Sequence, residues 1–229
     1  MAKLTFHGHA TFSVQTEDGT ELVIDPFFGD NPSFEGSADD VAADFILVTH
    51  GHYDHIADVI PLAERTGATV IASFEIASFL EEKGLTTSQQ HIGGGVTYPF
   101  GHVKLTAALH GGMVALPGAE GFTTVPAGLL ISLNEGPRIY HAGDTALLTD
   151  MQLLKGKVDV AILPIGDRFT MGPEDAARAV EFIEPKVVIP CHYDTWPPIE
   201  QDPEAFKAAV GDRAKVVVMA PGSTYETTE

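Results

Sequence analysis

Three imidazoles and a carboxylate crowd the segment Thr49-His50-Gly51-His52-Tyr53-Asp54-His55, directly after the apolar run Phe45-Ile46-Leu47-Val48. A short apolar run between polar flanks reads as a buried strand. Polar groups this dense at the end of a buried strand must each be solvated or paired, at a cost in free energy, unless one ion satisfies several of them together. His50 and His52 are two apart and present to the same side of an extended segment, whereas Asp54 and His55 stand where the chain turns into a helix. Zinc-type sites take three or four protein groups per ion, and catalytic ones keep a position open for water, so further ligands must come from elsewhere. Three isolated candidates each follow an apolar, strand-like run: His110 after Val103-Lys104-Leu105-Thr106-Ala107-Ala108-Leu109, Asp144 in His141-Ala142-Gly143-Asp144-Thr145, and His192 after Val187-Val188-Ile189-Pro190-Cys191. Strand ends are where open sheets place their sites.

Hydrophobic patterning supplies the frame. Leu4 to Phe6, Thr11 to Gln15 and Glu21 to Ile24 read as a meander with a turn at Glu17-Asp18-Gly19-Thr20. Helices are expected from Ile56 to Arg65, Phe74 to Lys83, Pro173 to Ile183 and, capped by Asp202, from Pro203 to Val210; Gly84 closes the second. Strands are expected at Thr69 to Ala72, Val103 to Leu109, Leu129 to Leu133, Arg138 to His141, Val160 to Leu163, Val187 to Ile189 and Lys215 to Met219. They form two series divided near residues 111–128, which suggests two sheets packed face to face with helices outside. Long Gly-, Pro- and polar-rich segments at 29–44, 111–128 and 193–202 adjoin proposed ligands or Asp25 and are expected to wall a pocket, with Trp196 and Tyr193 as aromatic lining beside His192. His7 and His91 are read as surface residues, His102 as structural, His141 as a support behind the ligands, and Cys191 as a core thiol facing away from His192.

The order of the HxHxDH segment, a lone His, a Gly-Asp-Thr and a late His resembles the metallo-β-lactamase superfamily of metal-dependent hydrolases, over nearly the whole chain. Within it, Gly8-His9-Ala10, Ile24-Asp25-Pro26, Phe169-Thr170-Met171-Gly172-Pro173 and Ile189-Pro190-Cys191-His192-Tyr193 resemble a bacterial branch similar to the ascorbate-6-phosphate lactonases. The resemblance implies an α/β fold, a four-layer αββα sandwich of two mixed β-sheets flanked by helices, as a single hydrolase domain over 1–229. It implies that His50, His52 and His110 hold one divalent ion, that Asp54, His55 and His192 hold a second, that Asp144 bridges the two, and that Asp25 supports the ligands from behind. The chain departs from the family pattern where Cys191 precedes the late His, and where His110 stands in Leu109-His110-Gly111-Gly112 instead of a Pro-Gly-His-Thr setting.

The chemistry expected of such a centre is metal-assisted hydrolysis of a small ester, a phosphoester, phosphodiester or lactone, by water ionised between two ions. Asp54 or Asp144 would orient the nucleophile, and His9 or Tyr193 would donate the leaving-group proton. A mixed His/Asp donor set without thiolate suits zinc or manganese and accommodates iron. An iron-dependent redox member of the fold and a metal-stabilised binding protein without turnover are the alternatives. With 13 basic against 32 acidic residues, the net charge of -19 opposes a broad nucleic-acid footprint, while two divalent ions restore positive charge where a small anionic substrate would approach. The chain has no apolar stretch long enough to span a membrane and no signal-like start, and Cys191 is its single cysteine, so a cytoplasmic location is expected, with homo-oligomerisation left open.

Overall fold

The computed structural model describes residues 1–227 and arranges them as two seven-stranded sheets. The first contains β1 (Ala2–Gly8), β2 (Thr11–Thr16), β3 (Glu21–Ile24), β4 (Phe45–Leu47), β5 (Thr69–Ser73) and β6 (Thr87–Gln90). The second contains β7 (Gly95–Tyr98), β8 (Gly101–Ala107), β9 (Ala127–Leu133), β10 (Arg138–His141), β11 (Val160–Pro164), β12 (Val187–Cys191) and β13 (Lys215–Val216). The last strand, β14 (Thr224–Glu226), crosses back and pairs with β1 in the first sheet. Pairing runs antiparallel along β14-β1-β2-β3 and parallel along β3-β4-β5-β6, and the second sheet repeats this order, antiparallel along β7-β8-β9-β10 and parallel along β10-β11-β12-β13.

Alternation along the strands sends one set of side chains between the sheets and the other outward. Leu4, Phe6, Phe12, Val14, Leu22, Ile24 and Leu47 of the first sheet meet Val103, Leu105, Leu129, Ile131, Ile162 and Ile189 of the second in the central core. Outward-facing Val23, Ile46, Val48 and Val70 pack under α1 (Tyr53–Ile56), α2 (Val59–Thr66) and α3 (Phe74–Glu82). Ala161, Leu163 and Val188 pack under α4 (Pro173–Ile183) and α5 (Pro203–Val210). This is the expected four-layer sandwich, and each fully buried Leu or Ile in it contributes about 1.5–3 kcal/mol. In α4 the proline opens the helix, acidic Glu174 and Asp175 occupy its first turn, and Ala176, Ala177, Ala179, Val180 and Ile183 form the buried face.

Three expectations are corrected. The helix expected from Ile56 to Arg65 starts earlier, at Tyr53, breaks after Ile56 and resumes at Val59. In an uninterrupted helix Pro61 would clash with the carbonyl of Ala57 and lose a bond to it, so the break falls there. Asp58 uses the break to pin the Pro26–Gly29 turn: its carboxylate accepts from Phe28 N–H at 2.6 Å and Gly29 N–H at 3.2 Å. The boundary between the sheets lies between β6 and β7, not at residues 111–128, which instead link the neighbours β8 and β9 of one antiparallel ribbon. His7 is half-buried, bonded through Nε2 to Ser13 Oγ at 2.7 Å and flanked by the Phe28 and Phe34 rings at 5.5 and 5.7 Å, because the 29–44 loop folds Phe34 back over it. His91 and His102 are exposed.

Candidate metal centre

Six strands from the two sheets end at one rim, and each is followed by a candidate side chain: His9 after β1, Asp25 after β3, His50 after β4, His110 beyond β8, Asp144 beyond β10 and His192 after β12. His9, Asp25 and His192 adopt positive φ (56°, 48° and 55°), sharp departures that turn these side chains off the strand path. Gly143, at φ +62°, makes the corresponding turn before Asp144, where a Cβ would stand 2.9 Å from Thr49 Cβ. Asp54 and His55 are presented by the one-turn helix α1.

The side chains converge as two groups. Ligand-capable atoms of His50, His52, His110 and Asp144 lie within 4.8 Å of one another, and so do those of His9, Asp54, His55 and His192. Asp144 stands between the groups: Oδ2 is 3.9 Å from His50 Nε2, 3.4 Å from His110 Nε2 and 3.0 Å from His192 Nε2, and Oδ1 is 3.3 Å from His55 Nε2. His52 Nδ1 and His110 Nε2 are 3.1 Å apart. All seven residues expected as ligands are therefore brought together, with His9 added to one group.

Behind them, Asp25 organises two imidazoles at once. Its carboxylate, fully buried, accepts from Thr49 N–H at 2.8 Å, from the Thr49 hydroxyl at 2.6 Å and from His55 Nδ1–H at 2.8 Å. With its proton given to Asp25, Thr49 Oγ1 accepts from His50 Nδ1–H at 3.0 Å. Both rings are thus fixed through Nδ1 with Nε2 aimed into the centre, where it can hold a proton or a cation. His141 Nε2 donates to Ala10 O at 3.0 Å and its Nδ1 accepts from Gly143 N–H at 3.1 Å, so it holds the Gly143 turn and takes no place among the ligands. Thr49 and Thr195, whose hydroxyl meets His9 Nδ1 at 2.8 Å, were not singled out from sequence, although Thr49 directly precedes His50.

Of the seven buried side-chain atoms that lack a hydrogen-bond partner among the described residues, five belong here: His50 Nε2, His55 Nε2, Asp144 Oδ1 and both ring nitrogens of His192. Electrostatics point the same way. Burial alone would raise the Asp144 carboxyl, but His192 and His55 hold it well below the usual carboxylate range. Asp54 is likewise pulled below that range by His55, His192 and His9 against its burial. Burial would lower His55 and His192, yet Asp144 foremost pushes His55 well up and His192 to about 9. His50, with burial dominant and His55 beside it, is driven well down. A buried site that stabilises two carboxylates and draws protons onto the His55 and His192 rings beside them is chemically matched to cations.

Two expected catalytic residues fall differently. His9 is buried, its Nε2 bonds Asp54 Oδ2 at 2.9 Å, and burial with His192 beside it lowers it to about 4, so it is a neutral ring that fixes Asp54. Tyr193 packs against the apolar layer under α4 and α5, and burial pushes its phenol up to about 12, because the positive φ of His192 turns the next side chain away from the rim. The aromatic that lines the centre is Trp196, 4.9 Å from the His9 ring and 6.1 Å from Phe27. Cys191 faces the core between the sheets, as expected.

The family model described as "Beta-lactamase superfamily domain" matches residues 20–193. A UPF0173 metal-dependent hydrolase of Heliobacterium modesticaldum is 46% identical over 98% of this chain and 97% of its own length, and one of Geobacillus sp. is 47% identical over 98% and 99%. Among solved structures, Igni18, a metallo hydrolase from Ignicoccus hospitalis, superposes with a TM-score of 0.89 at 36% identity, covering 99% of each chain.

Proposed function

The chain belongs to the beta-lactamase superfamily domain family, among the UPF0173 metal-dependent hydrolases, and from that premise we propose that it cleaves a small ester at a centre holding two divalent ions. The carrying observation is the cluster of buried ligand-capable atoms on His50, His55, His192 and Asp144 that lack a well-formed hydrogen bond among the described residues. His50, His52 and His110 are assigned to one ion, Asp54, His55 and His192 to the other, and Asp144 to both. The donors are imidazole and carboxylate throughout, which suits zinc or manganese and admits iron.

When bound, the ions supply Lewis acidity and ease the ionisation of water near neutral pH. The chain's own groups do the rest. Asp54 is the one carboxylate of the set with substantial exposure, its side chain 23% accessible, so it faces incoming water and aligns it by accepting a hydrogen bond. His9, anchored by Thr195, keeps Asp54 in that orientation. Asp25 and His141 hold the ligand rings and the Asp144 turn rigid, so that little reorganisation accompanies reaction. Trp196 and Phe27 shield one flank from solvent. The substrate class in this reading is a phosphodiester, phosphomonoester or lactone. A single domain, acting on small molecules in the cytoplasm, is part of the same reading; no helix among the described residues is long and apolar enough to cross a membrane.

The test is reconstitution of chelator-stripped protein with Zn, Mn or Fe, followed by assays on bis(4-nitrophenyl) phosphate, 4-nitrophenyl phosphate and an aliphatic lactone. Metal-restored turnover of one class, lost in Asp144→Ala, supports the reading. Failure of every metal form on every class would overturn it.

A further inference from the structure

The segment 165–172 links β11 to α4 and closes on itself beside the centre. Asp167, at φ +66°, donates its N–H to Met171 O at 3.0 Å, and Met171 N–H donates to Thr145 O at 2.9 Å. Its entry presses on His192: a Cβ on Gly166 would stand 2.4 Å from the His192 carbonyl oxygen. The loop tip, Arg168-Phe169, is thus tethered between a neighbour of Asp144 and His192 itself. Leu109 hangs from the same Thr145, with its N–H donating to Thr145 Oγ1 at 3.0 Å and its carbonyl accepting from Ala146 N–H at 3.1 Å. Phe169 and Leu109 are 55% and 62% exposed, large apolar side chains on the two segments that hydrogen-bond to the Thr145 turn.

Arg168 lies over the Phe169 ring, 5.6 Å from its centroid. Arg138 and Arg213 pair with Asp159 and Glu181, whereas no ion pair or side-chain hydrogen bond engages Arg168 among the described residues. In a chain with 32 acidic and 13 basic residues, an exposed arginine without an acidic partner keeps its whole donor fork available to an anion from outside. The segments around the centre, 26–44, 48–58, 108–126, 142–150, 165–172 and 191–202, contain no other Lys or Arg. Exposed Asp30, Asp167 and Asp194 add negative charge to the same rim, so a polyanion is repelled there while Arg168 offers a local cation to a single anionic group.

We propose that Arg168 recognises a single anionic group of the substrate, and that Phe169 and Leu109 carry an apolar segment joining that group to the scissile bond. The substrate class is an amphiphilic anion: a hydrolysable bond at the centre, an apolar spacer across the Thr145 turn, and a terminal carboxylate or phosphate on Arg168. This assignment rests on the hydrolase reading above and narrows it.

Calorimetric titration of the metal-reconstituted full chain with 3-phenylpropionate and 3-phenylpropylphosphonate, against uncharged 3-phenylpropan-1-ol, tests recognition without turnover and separates the two head groups. Wild type binds at least one anion more tightly than the alcohol, Arg168→Gln weakens that anion about tenfold or more, and Arg168→Lys falls between, as expected for a charge-assisted bond. Equal anion affinity in wild type and Arg168→Gln, or no preference of wild type for either anion over the alcohol, overturns the assignment. A kinetic arm compares 4-nitrophenyl butyrate with mono(4-nitrophenyl) glutarate; the anionic-to-neutral ratio of kcat/KM drops about tenfold in Arg168→Gln. Absence of turnover on both esters in wild type would count against carboxylic ester chemistry, while the titrations still decide on Arg168.

Discussion

Asp25→Asn is the sharpest perturbation of the centre, because it changes one oxygen to an NH2 group in a fully buried site and reaches the proposed ligands only through their Nδ1 side. In the native chain every partner of Asp25 is a donor: Thr49 N–H, the Thr49 hydroxyl and His55 Nδ1–H. An asparagine keeps one acceptor for Thr49 N–H and places donors where Oδ2 stood. His55 then answers with a bare Nδ1 and carries its proton on Nε2, the atom aimed into the centre. The Thr49 hydroxyl, now an acceptor from the amide, turns its proton toward His50 Nδ1 and inverts that ring too. Loss of a partner behind a ligating His typically costs 10- to 100-fold in metal affinity, about 1.4–2.8 kcal/mol. Two inverted rings, one in each group, therefore imply about 100-fold at least and on the order of 10,000-fold at most if their effects add. Competition against a chelator of known affinity, with metal counted by mass spectrometry, reads this directly, and circular dichroism checks that the fold persists. Retention of metal by Asp25→Asn at wild-type affinity would refute the tautomer argument, whatever happened to activity.

Other outcomes follow from the same geometry. Asp144→Ala removes the carboxylate common to both groups, so turnover falls below detection and bound metal drops in both groups while the near-native fold is retained, as checked by activity, metal content and circular dichroism. Gly143→Ala forces a Cβ to 2.9 Å from Thr49 Cβ at φ +62°, which costs about 1–3 kcal/mol and lowers Tm by several degrees in a thermal melt. Burial lowers His7 to about 4 in the folded chain, so the unfolded chain takes up this proton first as pH falls. The associated stability is intact above pH ~6.5 and is lost progressively down to pH ~4, by about 3 kcal/mol at most. His7→Gln should flatten the wild-type decline over that window in urea titrations; a parallel decline in the variant would sink the point.

Much of the centre was legible because its densest part is covalently contiguous: His50, His52, Asp54 and His55 share one strand end and one helical turn, and no tertiary knowledge is needed to see them. The boundaries of α4 and α5 were legible for local reasons as well, a proline at each first turn and, for α5, the Asp202 carboxylate accepting from Glu204 N–H at 2.9 Å. Long-range choices were hidden. The strands β6, β7 and β14 are short and polar and exist through pairing, so their sequences carry no alternating apolar signal. The direction of Tyr193 hangs on a positive φ at His192 that only the packed site enforces, and the cover over His7 comes from Phe34, which is remote in sequence. The helix expected from sequence runs straight through Pro61, and the role of the break before it, freeing Asp58 to hold residues 28 and 29, is visible only in three dimensions.

The distribution of candidate ligands over both sheets also sets an order of assembly. The first sheet, through β6, contributes His50, His52, Asp54 and His55, but His110, Asp144 and His192 arrive only with the second. With the ligand sets proposed above, neither sheet completes a coordination sphere until the two have docked, and ion capture would then act as a latch that closes late in folding. Any solvent or force that pries the layers apart should release the ions before either sheet melts, and the rate of metal loss becomes a clock for that opening.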